Sequence, residues 1–526
     1  MNESNEQTHY VLFIDAEDST VNRASPNAVI YPNLGLLTLM TALRPRLDSR
    51  YTLGYFDASV YSTSALEDFI DRNARRIVAM CFTVLTSNYG ASVALAERAK
   101  RINPAVITVM GNDHFSALYD RVLARRSVID YGFYGNDVVE GFTNFLVDTL
   151  SGRRDQLTRY PGLVFRDNTG TIRRNPEDPT EYGRLPLVNY RFTDSLFPHQ
   201  KHYLAGQRKT YFFMRDRELR SQVVDIGRGC VKFAGRRLEG IPLNACDFCG
   251  IVPGSKEIVS PEANRAWDIL RNVFEQGFNY FYITADELPL TLWPLLREMS
   301  KSIPEWFHDL SKDEKPSMFG YARAEAFATA PDRIEVLVNT LRMDHFFIGF
   351  DGLSDISLRV MNKQAIGGRG RKQSPMEHNL CALDDVVQRG GMITAGVVLT
   401  HLGITPEIMA ENYRVLVDIV DNYPRSFAAL DFLPLCPIPG SQSFRYLTHP
   451  EYAEARAAQF GLSVDRAYLE SRKMFYQEAD EFDMNELIND FTRGCCPDVT
   501  NGLVDDYSAR IAELADRHGI VIGGPV

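Results

Sequence analysis

The chain has 526 residues, 45% of them apolar and 24% charged, and a formal net charge of −11. That length exceeds one ordinary core and implies two or three domains, while the acidic balance excludes a basic surface for nucleic acid. The first six residues are polar and acidic and no apolar run is long enough to cross a bilayer, so a cytoplasmic protein with no membrane partner is expected; eight cysteines in a reducing compartment argue against a disulfide framework.

Residues 10 to about 150 alternate strands and helices. Val11–Asp15, Ile77–Phe82, Val106–Gly111 and Asp130–Tyr134 read as strands, with helices at Leu34–Leu43 and Gly90–Arg101. This spacing implies a parallel, doubly wound sheet whose ligands bind beyond the strand C-termini. The loops there are 83–89, 111–114 and 135–137. Residues 151–222 form a connector with a small hairpin near Gly162–Ile172. From Val223 to Phe444 the alternation resumes, with strands expected at Phe281–Thr284, Met318–Ala322, His345–Phe350, Ile393–Leu399 and Ala429–Leu433. About six parallel strands of this kind make a closed or partly closed barrel with its chemistry at the strand C-ends. Residues 445–526 read as mainly helical.

Three cysteines dominate the chemistry. Cys230 ends the run Asp225-Ile-Gly-Arg-Gly-Cys230, and Cys246 and Cys249 frame Asp247 and Phe248. Three thiolates hold three irons of a four-iron cluster and leave the fourth iron open to a substrate, whereas four thiolates only store structure or pass electrons. A structural zinc site with a distant fourth ligand is the alternative.

The arrangement resembles radical S-adenosylmethionine (SAM) enzymes of the cobalamin-binding branch. Their cluster loop has three and then two residues between cysteines; here the second gap is two and the first is 15. Lengthening the first loop fivefold costs about 1.4 kcal/mol of closure entropy, which iron–thiolate bonds outweigh. The insertion carries Lys232, Arg236 and Arg237, which would cover the cluster or touch substrate. Downstream motifs follow in family order. Ile283-Thr-Ala285-Asp286-Glu287 stands where the methionyl amine is received, and Tyr321-Ala-Arg323-Ala-Glu325 resembles the third-strand arginine motif. Gly349-Phe-Asp351-Gly-Leu-Ser354-Asp355, with Leu358–Lys363 after it, resembles the fourth-strand SAM segment. Gly391–Gly403, including Gly396, resembles the segment beside adenine, and Pro434–Ser441, with Cys436, the sixth-strand Pro-Gly turn. Tyr31–Leu37, Gly111-Asn112-Asp113-His114 and Gly135-Asn136-Asp137 resemble loops of the cobalamin domain, in altered form.

The resemblance implies an α/β protein: an N-terminal doubly wound (Rossmann-like) cobalamin-binding domain over 1–150, a connector over 151–222, a partial (β/α)6 radical SAM barrel over 223–444, and a mainly helical C-terminal region over 445–526. It implies a [4Fe-4S] cluster on Cys230, Cys246 and Cys249. SAM would lie against Phe248, Ala285, Asp286, Glu287, Arg323, Asp351, Ser354 and Gly396, and cobalamin against Thr83, Asn112, Asp113, His114, Gly135 and Asn136. No Asp-x-His-x-x-Gly sequence is present, so no histidine ligand to cobalt is expected. The implied reaction is a 5′-deoxyadenosyl radical abstracting hydrogen from an unactivated carbon of a small-molecule substrate, followed by methyl capture from methylcobalamin. Electrons would come from a donor such as flavodoxin or ferredoxin. A non-methylating rearrangement, cyclisation or oxidation is the alternative enzyme, and a corrinoid- or metal-binding module the alternative of another class. Bland readings stand beside several sites: Asp286 and Glu287 as helix caps, Arg323 in an ion pair, His114 as a packed histidine, and Cys436, like Cys81, Cys381, Cys495 and Cys496, as a buried structural residue.

Overall fold

The computed structural model describes residues 8–18, 31–135, 138–153, 156–178, 181–203, 219–233, 237–238, 241–242, 245–250, 258–329, 332–363 and 374–523. Two seven-stranded sheets organise them. The first contains β1 (His9–Asp15), β2 (Tyr51–Asp57), β3 (Ile77–Thr83), β4 (Ile107–Gly111), β5 (Tyr131–Phe133), β6 (Leu163–Arg166) and β7 (Ile172–Arg174). Their order is 2-1-3-4-5-6-7, parallel through β5 and antiparallel thereafter. Val11, Leu12, Phe13 and Ile14 of the inner strand β1 are all fully buried, as a parallel strand covered on both faces requires. Helices α1 (Leu34–Leu43), α2 (Thr63–Asn73), α3 (Tyr89–Ile102), α4 (Asp113–Arg125) and α5 (Val139–Leu150) supply that cover. The order reverses between β1 and β3, so the crevice at their C-termini is the expected ligand position.

The connector hairpin expected near Gly162 is β6–β7. It pairs with β5 and so extends the first sheet. Connector residues also cross the sheet's outer edge: Tyr203 donates to the buried carboxylate of Asp57 (2.5 Å), and the Asp57 amide donates to His199 Nε2 (3.1 Å).

After β8 (Ser221–Val224), the two-residue strands β9 (Arg237–Leu238) and β10 (Ile241–Pro242) pair as a separate ribbon. The second sheet then continues through β11 (Tyr280–Ile283), β12 (Ser317–Ala322), β13 (Met343–Asp351), β14 (Met392–Val398) and β15 (Phe427–Leu433). All are parallel, in the order 8-11-12-13-14-15, with β16 (Val521–Ile522) added beyond β15. This is the expected partial barrel, with one strand more that the chain supplies after its C-terminal helices. Those helices are Gln442–Thr448, Pro450–Ala458, Arg466–Glu478, Met484–Cys495 and Asn501–Arg517. Among the described residues no helix is long and apolar enough to cross a membrane.

The C-terminal region fastens the two sheets together. Asp480 is buried and accepts from Tyr89 Oη (2.6 Å) and Arg126 Nε (2.7 Å) of the N-terminal domain. Tyr446 Oη donates to Asp247 Oδ2 (2.6 Å) in the cysteine loop of the barrel.

Candidate active site at the barrel mouth

The cysteine loop leaves β8 and is closed at its neck, where Arg228 and Val259 exchange both backbone hydrogen bonds (2.9 and 3.1 Å). Cys249 N donates to Cys246 O (3.0 Å), which makes the short gap a tight turn. A second turn props it: Asp247 N donates to Met361 O (3.1 Å), Asn362 Nδ2 to Ala245 O (2.8 Å), and buried Lys232 Nζ to Asn362 O (2.9 Å). Lys232 of the insertion therefore knits the loop; the Arg236 and Arg237 side chains lie outside the described residues.

Cys246 is buried, and Cys230 and Cys249 are half-buried. Burial pushes the Cys230 thiol up to about 12. Cys249 is raised further by burial and then by the charges of Cys246 and Cys230. The three sulfurs are thus electrostatic neighbours. Among the described residues no group of three or more His, Cys, Asp or Glu side chains is placed to hold a metal ion; three thiols are the number that an open-cornered four-iron cluster takes.

Cations face this loop. Arg323 Nη1 lies 3.4 Å from Cys246 Sγ, while Nε and Nη2 make a bidentate pair with Glu325 (3.0 and 2.8 Å). Burial would lower the guanidinium's pKa, yet Cys246 and Glu325 outweigh it and hold the charge. Lys363 forms an ion pair with Asp351 and stands 5.5 Å from the Phe248 ring centroid. Arg323 thus braces the cysteine loop, and Asp351 is held by a lysine. Glu287 accepts from Leu290 N, Thr291 N and Thr291 Oγ1, which closes the turn before the helix Trp293–Lys301, and Ser354 accepts from Ser357 N as a helix cap. Ala285 is fully buried. The space above Gly396 is taken by the Phe347 ring, 2.7 Å from where a Cβ would stand. Asp286 alone of the acidic strand-end pair is outward: it accepts from Gly229 N (2.8 Å) and reaches the cavity described next. Cys436 is half-buried beyond the end of β15, its thiol pushed up to about 12 by burial.

A cavity of about 410 Å³ runs from inside the N-terminal domain to the barrel mouth. Its inner walls are the C-terminal halves of β3 and β4, with α1 and Phe142 of α5; Asp225, Arg228, Thr284 and Asp286 of the barrel complete its mouth. Thr83, Asn112 and Gly135 line it, and Asn112 Nδ2 donates to Thr83 Oγ1 (2.9 Å). Asn112 has φ +81° and its side chain caps α4. Gly135 sits at φ +91°, and a Cβ there would stand 2.6 Å from Glu177. Asp113 is raised to about 6, by burial first and by the charge of Asp286 second. His114 lies elsewhere. It is buried and stacked on Tyr89, with Nδ1 3.2 Å from Thr86 Oγ1 and Nε2 2.9 Å from Asp480 O. Both ring nitrogens are engaged, so His114 joins the domains instead of lining the cavity. Asn136 lies outside the described residues. Sequence reasoning missed Asn33, Asp225, Arg228 and Thr284; the i,i+3 pair Asp225–Arg228 (2.7 Å) just before Cys230 was the available signal.

No family model matches the sequence, and no curated protein matches it. Solved structures do match. The radical S-adenosylmethionine methyltransferase TsrM from Kitasatospora setae, with cobalamin and a [4Fe-4S] cluster bound, superposes with TM-score 0.59 at 16% identity, over 83% of this chain and 77% of that one. TsrM with its tryptophan substrate and a SAM analogue gives TM-score 0.61 at 16% identity, over 84% and 76%. The chain has the fold of the cobalamin-dependent radical SAM enzymes. OxsB, a cobalamin-dependent S-adenosylmethionine radical enzyme, with aqua-cobalamin and S-adenosylmethionine bound, matches with TM-score 0.55 at 14% identity over 98% of this chain. This chain spans about 62% of the length of OxsB.

Proposed function

We propose that this protein is a radical SAM enzyme that uses cobalamin to methylate an unactivated carbon of a small-molecule substrate. The observation that carries the reading is the convergence of two features at one mouth: the three-thiol loop of the barrel, and the deep cavity of the N-terminal domain that opens at Asp225, Arg228 and Asp286. When bound, an open-cornered four-iron cluster with SAM would supply the 5′-deoxyadenosyl radical, and cobalamin the methyl group.

The chain's own residues do the holding. Cys230, Cys246 and Cys249 would ligate the cluster, with Arg323 donating to the Cys246 sulfur. Asp286 ties the cysteine loop to the end of β11 through Gly229 N, and its other oxygen would receive the methionyl ammonium. Thr83, Asn112 and Gly135, which line the cavity, would help to hold cobalamin, and Asp225 and Arg228 would face it from the barrel side of the mouth. The Asp480 and Asp247 contacts keep the two halves in register, which is the proximity that a three-component reaction demands. Electrons would arrive from a flavodoxin or ferredoxin in the cytoplasm.

The test is a cofactor inventory of protein purified without air, followed by reduction and addition of SAM carrying a labelled methyl group. The expected result is about four irons with labile sulfide and about one corrinoid per chain, cleavage of SAM to methionine and 5′-deoxyadenosine, and label in product. Absence of labile sulfide overturns the reading. A non-methylating oxidation or rearrangement is the second reading, since OxsB is named a radical enzyme and not a methyltransferase; 5′-deoxyadenosine formed without methyl transfer would favour it.

A further inference from the structure

The barrel lumen is shut at one level and open at the next. Tyr280, Phe319, His345 and Thr394 come from four neighbouring strands, and none is more than 1% exposed. They are sewn together by Tyr280 Oη to His345 Nδ1 (2.6 Å) and His345 Nε2 to Thr394 Oγ1 (2.8 Å). Two residues further along the strands, the layer is Tyr282, Tyr321, Phe347, Gly396 and Asp431. Tyr321 and Phe347 are in ring contact at 4.9 Å, Phe347 leans over Gly396, and Gly396 is the register partner of Asp431. Here Tyr321, Phe347 and Asp431 all keep partial exposure. Packed parallel barrels fill such layers completely; this layer is left partly open to solvent. Beyond it Leu433, next but one to Asp431, is 63% exposed.

Asp431 is the one charged side chain of this layer, and it makes no hydrogen bond or ion pair among the described residues. Burial raises its carboxyl. A half-buried carboxylate without a donor is costly and gains most from a cation delivered to it. Two aromatic faces beside it add to that preference. The neighbouring cation one level up, Arg323, is already committed to Glu325 and Cys246. We propose that Asp431, with Tyr321 and Phe347, is the recognition site for a basic nitrogen of the substrate: an ammonium or protonated amine enters first, and its apolar body lies against Val398 and Leu433. This inference rests on the reading of the barrel mouth as the reaction site.

The experiment measures calorimetric binding of phenethylamine and of its uncharged counterpart 2-phenylethanol to the full-length, cofactor-reconstituted protein, with and without SAM. The amine is expected to bind about tenfold or more tightly than the alcohol. Asp431→Asn should erase that difference and leave SAM affinity unchanged, and Asp431→Glu should retain it. Failure of the amine to bind, equal binding of amine and alcohol, or an unchanged preference in Asp431→Asn overturns the proposal. So does loss of SAM affinity in Asp431→Asn, which would place the adenine amine there instead. Iron, sulfide and corrinoid are assayed on the same samples. Amine preference without cofactors would sink the proposed reaction alone, and cofactors without amine preference would sink this site alone.

Discussion

Arg323 and Glu325 offer a sharp test of how the cysteine loop is supported. Both side chains are nearly excluded from solvent, at 7% and 6% exposure, and the pair is bidentate. Replacing Arg323 by Gln removes the guanidinium that faces buried Glu325. Breaking one side of a buried pair costs about 3–5 kcal/mol. For a domain the size of the barrel this is a drop in melting temperature of roughly 10 °C, read by scanning fluorimetry on metal-free protein at pH 7. The double variant Arg323→Gln, Glu325→Gln should recover most of the loss, because no charge is then stranded. A single variant that loses less than about 1 kcal/mol, or a double variant no better than the single, would refute the argument.

Four further outcomes are expected. Cys230→Ala, Cys246→Ala and Cys249→Ala should each lose the cluster, read as iron and sulfide content; an unchanged Cys230→Ala would remove that residue from the ligand set. Leu39→Trp projects an indole into the interdomain cavity and should weaken corrinoid retention about tenfold while leaving iron content intact. His114→Ala should cost about 1–3 kcal/mol for its two buried hydrogen bonds yet leave corrinoid content unchanged, as urea titration and absorbance will report. Burial would raise the Asp480 carboxyl, but Arg126 and Tyr89 outweigh it and hold it below the usual range. Its stabilisation is therefore complete above the unfolded value of about 3.9 and is lost as pH falls through the lower folded value. Asp480→Asn should lose about 2 kcal/mol at neutral pH, and the difference from wild type should shrink below about pH 4.

Much of the fold is legible from residue pattern because parallel strands buried on both faces are unbroken apolar runs. Val11–Ile14, Ile77–Phe82 and His345–Phe350 announce themselves in this way. Tyr51–Asp57 does not: Thr52 and Gly54 interrupt the run, and Gly54 is small because Leu12 of the next strand fills its place, 2.9 Å from a Cβ position. The hairpin at 163–174 is visible as a hairpin, but its docking on β5 is a tertiary choice that no local pattern records. In the site, the cysteine spacing carried the strongest signal. Glu287 and Ser354 could be ligands or caps on type alone, since the same oxygens that hold a substrate also satisfy helix amides. His114 follows the first residue of α4, which turns it away from the cavity toward Asp480. Asp431 is one acidic residue in an apolar strand, and only the register places it in the lumen.

The two-residue strand Val521–Ile522 has a consequence for biogenesis. A ribosome-bound chain carries β15 as a bare parallel edge, with unpaired amides ready to recruit another chain, until the segment near residue 521 is made. Protection of β15 at Ala429 and Leu430 therefore waits for a segment that lies after the C-terminal helices. Stalled or truncated translation products that lack this segment should be the aggregation-prone species, and a holdase that binds exposed strands should associate with them selectively.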